Sequence, residues 1–348
     1  MTKTNNLELK KLLTKLLSKE TLPNGKISSR ISISKYVAGL KRFYYIHQET
    51  KKKTLYSPGG IEAQIIKLSK EINIYRASVK PEPLQLSDDI EVFDLPDGEN
   101  DYLSPHKFED ENYKAVIMND FHLYFHSTPA IKIALNEAKL ANIDKIIING
   151  DLLDLGGVGR WTRRPDRVII KDEIEIGKEF FNQLRKMFPT QEIIYKEGNH
   201  DSRLEKYIWE RCPELYGIQQ LSLGELLDLK KHNVKTIASM QLMKAGDLWI
   251  AHGHEFMGGS GGENVALKML KKVNRNIIFG HFHVPQETFQ SNPIDDKNHA
   301  AWSVGCLCQL KPSYHPHNNW GHGFAFVQHY KGGSFSVDNK KIINGKVL

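Results

Sequence analysis

From residue 113 onward the chain is predicted to fold as an α/β domain, preceded by a small, mainly helical module. Three observations predict it. Short apolar runs alternate with amphipathic stretches. His, Asp and Asn residues gather just past the ends of those runs. The first 80 residues also carry a charge that sets them apart from all that follows.

The elements follow in order. Tyr113–Met118 reads as a strand, Ala130–Ala141 as a helix and Lys145–Ile148 as a strand. Lys171–Met187 then reads as a helix and Glu192–Tyr195 as a strand. Further strands fall at Leu248–Ala251 and Asn276–Phe279, separated by a helix near Asn264–Val273. From Ala300 the tail reads as more strands, clearest at Phe324–His329 and Ser334–Val337.

Ahead of this body, 7–17 places apolar residues at helical spacing with Lys between them, 31–46 suits a second helix, and 61–72 a third after Gly59-Gly60. Short helices with a basic face suggest a helix-turn-helix or winged-helix module. Between module and body, 81–112 contains PEP, LPDG and SPH and holds no sustained period, so it is expected to be a linker or a wrapped loop. The expected divisions are therefore 1–80, 81–112 and 113–348.

Charge separates the same segments. The net +7 comprises +12 over residues 1–80 (17 Lys/Arg against 5 Asp/Glu), −9 over 81–110 and +4 over the remainder. A basic head of this kind suits nucleic acid as a partner, or else is an exposed Lys-rich helical surface. No apolar run approaches the ~20 residues that span a bilayer, and no membrane partner is expected. Cys212, Cys306 and Cys308 make neither a disulfide framework nor a four-ligand zinc site, which suits a reducing, cytoplasmic setting.

The chemistry lies in where the polar residues fall. Asp120 and His122 follow the first strand of the body, and Asp151 and Asp154 the second. Asn199, His200 and Asp201 follow the third, His252 and His254 a later one, and His281 and His283 another. Ligands of open α/β sheets bind beyond the carboxyl ends of the strands, so these clusters are expected to converge. Cleaving a phosphate ester requires a nucleophile at neutral pH and positive charge on the phosphoryl oxygens, which two divalent ions supply together. Such ions take carboxylate, imidazole and amide oxygen. A His outside the ligand set can protonate the leaving oxygen.

The five blocks D-F-H (120–122), G-D-L-L-D (150–154), G-N-H-D (198–201), H-G-H (252–254) and G-H-F-H (280–283) resemble those of the calcineurin-like metallophosphoesterases, in order, over about 113–330. The resemblance implies a β-sandwich flanked by helices and two divalent ions, manganese foremost, with iron, zinc, nickel or magnesium as alternatives. It implies that Asp120, His122 and His283 hold one ion, that Asn199, His252 and His281 hold the other, and that Asp151 bridges them. His200 would be the general acid, oriented by Asp201, with Asp154 behind the ligands.

Other residues invite two readings each. His254 is a substrate contact or a hydrogen-bonding support. Arg203 grips phosphate or pairs with Glu205. Gly258–Gly262 opens a helix that could face an anion, or is a plain loop. Arg160, Trp161, Arg163 and Arg164 leave the sheet shortly after Asp151 and either hold phosphates and stack bases or form a structural cap. Cys306 and Cys308 read as packing residues on a strand. Protein phosphatases resembling this family carry Asp-Arg-Gly where this chain has Asp154-Leu155-Gly156, so a protein substrate is disfavoured. The body is similar to the phosphoesterases common in phage and bacterial genomes, which implies a bacterial cytoplasm or a phage-infected host cell. The expected activity is hydrolysis of a nucleic-acid diester. The alternative is a cyclic nucleotide or a nucleotide-like monoester.

Overall fold

The computed structural model describes residues 98–160, 169–256, 263–291 and 298–348, together with scattered positions between 9 and 65. The chain divides into two compact units, Met1–Gly98 and Glu99–Leu348.

In the first unit the described positions within 9–16, 35–38 and 61–65 are helical. Leu9, Leu13, Leu16, Val37, Ile61 and Ile65 are buried together as its small core, with the first three at the i, i+4, i+7 spacing of one helical face. Strand β1 (Tyr44–Ile46) pairs antiparallel with β2 (Lys53–Leu55). This corrects the expectation of one helix over 31–46: its end is a run of aromatic and β-branched residues, which favour a pleated strand. The helix expected over 61–72 lies outside the described residues beyond 65.

The second unit begins with β3 (His106–Lys107), β4 (Tyr113–Met118), α1 (Thr128–Leu140), β5 (Lys145–Asn149), α2 (Ile170–Met187), β6 (Glu192–Lys196) and α3 (Arg203–Arg211). It continues through α4 (Leu223–Leu226), β7 (Val234–Ile237), β8 (Met243–Ala245), β9 (Leu248–Ala251), α5 (Val265–Val273) and β10 (Ile277–Phe279). It ends with β11 (Gln286–Ser291), β12 (Asn298–Ser303), β13 (His322–His329), β14 (Phe335–Ile343) and β15 (Lys346–Val347). A seven-stranded sheet runs β15-β14-β13-β4-β5-β6-β7, and a six-stranded sheet runs β11-β12-β10-β9-β8-β3.

The two-residue period of a strand builds the layers. Ala115 and Ile117 of β4, Ile147 of β5 and Ile194 of β6 share one buried cluster with Met243, Ile250 and Ile278 of the other sheet. The alternate residues Val116, Met118, Ile146, Ile148 and Tyr195 pack instead with Ala134 and Ala138 of α1 and Phe181 and Leu184 of α2. On the far side, Ala251, Ile277 and Phe279 pack with Val265, Met269 and Leu270 of α5. The result is a β-sandwich covered by helices on both faces, within the α/β class. Arg185 fastens the end of α2, donating to the carbonyls of Phe188 (3.0 Å), Gln191 (2.8 Å) and His232 (2.9 Å).

The stretch expected to be a linker or a wrapped loop joins this sandwich at its end. β3 lies parallel to β8, with His106 N–H donating to Leu242 (2.8 Å) and Phe108 N–H to Lys244 (3.1 Å). Phe108 also packs on the inter-sheet core. Among the described residues no helix is long and apolar enough to cross a membrane.

Candidate metal centre

Strands β4, β5 and β6 are parallel neighbours, as are β9 and β10. Their carboxyl ends therefore point the same way within each sheet. Asp120 and His122 follow β4, Asp151 follows β5, Asn199 and His200 follow β6, His252 follows β9, and His281 and His283 follow β10. Five of these residues turn back through the left-handed region: Asp120 (φ 55°), His122 (47°), Asp151 (54°), His281 (70°) and His283 (60°). Non-glycine residues in that region cluster at functional sites, where the surroundings hold them there. Here the turns hold one another. Asp120 N–H donates to Gly150 (3.1 Å), His122 N–H to Asp151 (3.0 Å), and Gly280 N–H to His252 (2.8 Å).

The glycines of three blocks are required by close approach. A Cβ on Gly150 would stand 2.2 Å from Nδ1 of His252, and one on Gly198 would stand 2.2 Å from Oδ1 of Asp151. One on Gly280 would stand 2.8 Å from Oδ2 of Asp120.

The side chains converge. His283 Nε2 lies 3.2 Å from Asp120 Oδ1 and 3.2 Å from His122 Nε2. His252 Nε2 lies 3.2 Å from Asp151 Oδ2. Ligand atoms of Asp151, His252 and His281 fall within 4.8 Å of one another, as do those of His122, Asp151 and His200. Asn199 Oδ1 is buried without a hydrogen-bond partner among the described residues. Asp120 Oδ1 and His252 Nε2 are buried and approach polar atoms only outside hydrogen-bond geometry. Buried oxygens and imidazole nitrogens left open in this way suit divalent cations, because an unmatched buried polar atom is otherwise costly. The residues present therefore fit a dinuclear centre.

Proton affinities reflect the crowding. Burial alone would lower His252, but the Asp151 and Asp120 carboxylates outweigh it and raise it to about 10. His283 is likewise disfavoured by burial but raised to about 9 by Asp120. His281, buried and next to His252, is lowered to about 4. Burial would raise Asp151, but His252 and His200 hold it well below the ordinary carboxylate range. Metal binding at this centre must displace the shared protons.

His200 stands beside the ligand set. Its Nδ1 lies 3.1 Å from the Asp154 carbonyl and 3.2 Å from the Asp154 carboxylate. The group facing its ring is therefore Asp154, which corrects the expectation that Asp201 orients it. Asp201 instead accepts N–H donors from Gly198 (2.8 Å), Leu153 (3.0 Å) and Leu152 (3.3 Å), fastening two site loops together. Arg203 donates to the Asp154 carbonyl (2.7 Å) and approaches His200 Nε2 at 2.8 Å. An Nε2 that faces an arginine is an acceptor, and burial, with Arg203 beside it, lowers His200 to about 4. With Arg203 in this position, Nε2 of His200 carries no proton.

The remaining candidates are placed as follows. His254 Nε2 lies 3.0 Å from Ser239 Oγ, and its Nδ1 lies 3.5 Å from Glu255. Arg160 is exposed just after the short turn Gly156–Val158, and Gly159 of this loop packs against the Arg203 side chain. Trp161, Arg163, Arg164 and Gly258–Gly262 lie outside the described residues. Cys306 and Cys308 are buried, with Cys308 Sγ 3.8 Å from His283 Nδ1.

Sequence reasoning missed several supports. Fully buried Lys196 pairs with Glu255 at 2.9 Å, and Glu255 accepts the N–H groups of His252 (3.0 Å) and Gly253 (2.6 Å). Burial would raise Glu255, yet Lys196 and the neighbouring histidines hold it at about 2. Asn119 donates to Asp120 and to the Gly305 carbonyl. Trp320 packs edge-on against His283 at 4.2 Å. A polar residue beside a block, as Asn119 is beside Asp120 and Glu255 beside His254, was the signal available.

Comparison with known proteins bears on the same residues. Residues 113–285 match the family described as calcineurin-like phosphoesterase. No curated protein matches. Solved structures similar to the chain include Vacuolar Protein Sorting 29 from Cryptosporidium parvum, at 11% identity and a TM-score of 0.38, covering 69% of this chain and 96% of that one. YfcE, a phosphoesterase from E. coli, is 18% identical with a TM-score of 0.32, over 65% and 98% of the two chains. A dimetal phosphatase from Danio rerio is 9% identical with a TM-score of 0.33, over 69% and 98%.

Proposed function

With residues 113–285 belonging to the calcineurin-like phosphoesterase family, we propose that this metal-dependent phosphoester hydrolase cleaves the phosphodiester bonds of nucleic acid, with manganese as its metal. The observation that carries this reading is the +12 charge of residues 1–80, which suits a polyanionic substrate. The absence of Arg at Leu155 points away from a protein phosphatase.

Asp120, His122 and His283 would hold one ion, Asn199, His252 and His281 the other, and Asp151 would lie between them. When bound, two such ions supply positive charge against the phosphoryl oxygens and a nucleophile at neutral pH. The chain's own residues do the rest. His200, unprotonated at Nε2 while it faces Arg203, would take up a proton from solvent there once Arg203 leaves and pass it to the leaving oxygen. Asp154 keeps the His200 ring in place through Nδ1. Arg203, which faces His200 Nε2, would leave it for a phosphoryl oxygen when substrate enters.

The test is hydrolysis by manganese-loaded protein of single- and double-stranded DNA, RNA, cyclic nucleotides and a generic diester, before and after chelation. The expected result is nucleic-acid cleavage that chelation abolishes and manganese restores. Turnover confined to cyclic nucleotides or nucleotide monoesters would replace this reading with the small-molecule one.

A further inference from the structure

We infer that Tyr314 and Trp320 form a stacking subsite for the nucleobase next to the scissile phosphate. The inference rests on the phosphodiesterase reading above and names the part of the substrate that is recognised.

Trp320 meets the ligand candidate His283 at 4.2 Å between ring centres, at 68°. Tyr314 lies 6.4 Å from Trp320, and His315 lies 5.9 Å from it. Trp320 thus links His283 to two further rings, Tyr314 and His315. Tyr314 is 61% exposed. The loop is nevertheless held firmly. Asn318 donates to the carbonyls of Leu310 (2.7 Å) and His315 (2.6 Å) and accepts from Trp320 N–H (2.9 Å). Gly321 N–H donates to the His283 carbonyl (2.9 Å), and His322 Nε2 lies 2.8 Å from the Cys308 carbonyl.

Charge points the same way. Residues 309–322 contain Lys311, His315, His317 and His322 and no carboxylate, so an anion is not repelled. A rigid, carboxylate-free loop presenting an exposed aromatic ring beside a phosphoester-cleaving centre matches a nucleotide, whose base and phosphate are separated by one sugar. Base–aromatic stacking is tolerant of sequence, because every base has a π face.

The experiment compares two diesters with the same leaving group, thymidine 5′-(p-nitrophenyl phosphate) and methyl p-nitrophenyl phosphate. In both, water adds to phosphorus as the bond to p-nitrophenolate breaks, and only the retained group differs. Tyr314→Ala is expected to raise KM for the thymidine ester by roughly tenfold, the order that one base–aromatic stack is worth. The methyl ester should be unaffected, and Tyr314→Phe should restore the wild-type value. Trp320→Leu should act similarly, with metal content measured because Trp320 touches His283. In parallel, metal-loaded protein is titrated calorimetrically with adenosine 5′-monophosphate and with ribose 5-phosphate. The adenosine compound should bind more tightly, and Tyr314→Ala should erase the difference.

If the methyl ester is hydrolysed but Tyr314→Ala affects both esters alike or neither, the stacking subsite is overturned and the phosphodiesterase reading survives. Equal binding of the two monophosphates overturns the subsite as well. If neither ester is hydrolysed while the adenosine preference persists and depends on Tyr314, the phosphodiesterase reading fails and the subsite stands.

Discussion

The Nδ1 atom of His200 stands 3.2 Å from the carboxylate of Asp154. The same carboxylate lies 3.3 Å from Nδ1 of His122, a metal-ligand candidate. One buried carboxylate thus stands against two imidazoles of the site. Replacing each partner separates them. His200→Asn is expected to keep both metals while slowing turnover by roughly 10²–10⁴-fold, less on esters with good leaving groups. Asp154→Asn should also weaken metal affinity, by about 10–100-fold, as supports of ligating histidines do. Metal analysis alongside a leaving-group series checks both. Equal loss on good and poor leaving groups would remove His200 from the proton-donor role.

Asp201 predicts a different outcome. It contacts three backbone N–H groups and no reacting atom described above. Asp201→Ala leaves those buried donors unmatched at roughly 1–3 kcal/mol each. The variant is expected to unfold at much lower denaturant concentration, with activity lost in proportion to the fold. A stable Asp201→Ala protein that binds metal normally but does not turn over would return Asp201 to the chemistry.

The Lys196–Glu255 pair is buried on both sides, and Glu255 also anchors the turn that carries His252. Lys196→Met strands a buried carboxylate and should cost about 3–5 kcal/mol. Adding Glu255→Gln to it should recover part of that loss, because the amide oxygen can still accept the His252 N–H. Strictly additive losses in a double-mutant cycle of denaturation midpoints would show that the two residues are not coupled.

What was legible followed from period and position. Ile146–Ile148 and Ile193–Tyr195 are apolar runs too short for helices, and each is followed by a polar block, so the strands and the convergence could be read together. β3 could not be read, because His106–Lys107 has no apolar signature and is a strand only through its bonds to Leu242 and Lys244. β11, Gln286–Ser291, is mostly exposed and its polar sequence carries no buried-strand signature. The orienting role that the resemblance implied for Asp201 does not match its contacts: its carboxylate is held by the β5 loop, while the Asp154 side chain, 46 positions away, reaches His200. Trp320 carried no signal, since its contact with His283 exists only after both sheets are assembled.

The glycines give a sharp contrast. Gly198→Ala forces a methyl group to 2.2 Å from Asp151 Oδ1. Asp151 cannot retreat easily, because its Oδ1 accepts the His200 N–H at 2.8 Å and its backbone is left-handed. The expected result is loss of metal binding. Gly224→Ala, in α4 with nothing within 4 Å, should stabilise the fold by about 0.4–1 kcal/mol through the unfolded chain. Metal titration and thermal denaturation of both variants check this. Unchanged metal content in Gly198→Ala would show that the loops adjust.

The last prediction concerns the basic unit. Residues 1–80 hold +12, while every candidate ligand lies at or beyond Asp120. Met1–Gly98 is a compact unit with its own buried cluster of Leu9, Leu13, Leu16, Val37, Ile61 and Ile65. Removing it should therefore leave Glu99–Leu348 folded and its hydrolysis of a small diester intact. Binding to duplex DNA should weaken. Each phosphate contact releases counterions, so log affinity falls with log salt by about 0.9 per contact, and the truncated protein should show a shallower slope. Binding is measured for both proteins across a salt series, with the small-diester rate as the control. A slope and affinity unchanged by truncation would show that the basic unit does not contact the substrate. A truncated protein that binds DNA more tightly would show that this unit restrains the rest of the chain. The first outcome would remove the main support for nucleic acid and favour the small-molecule substrate.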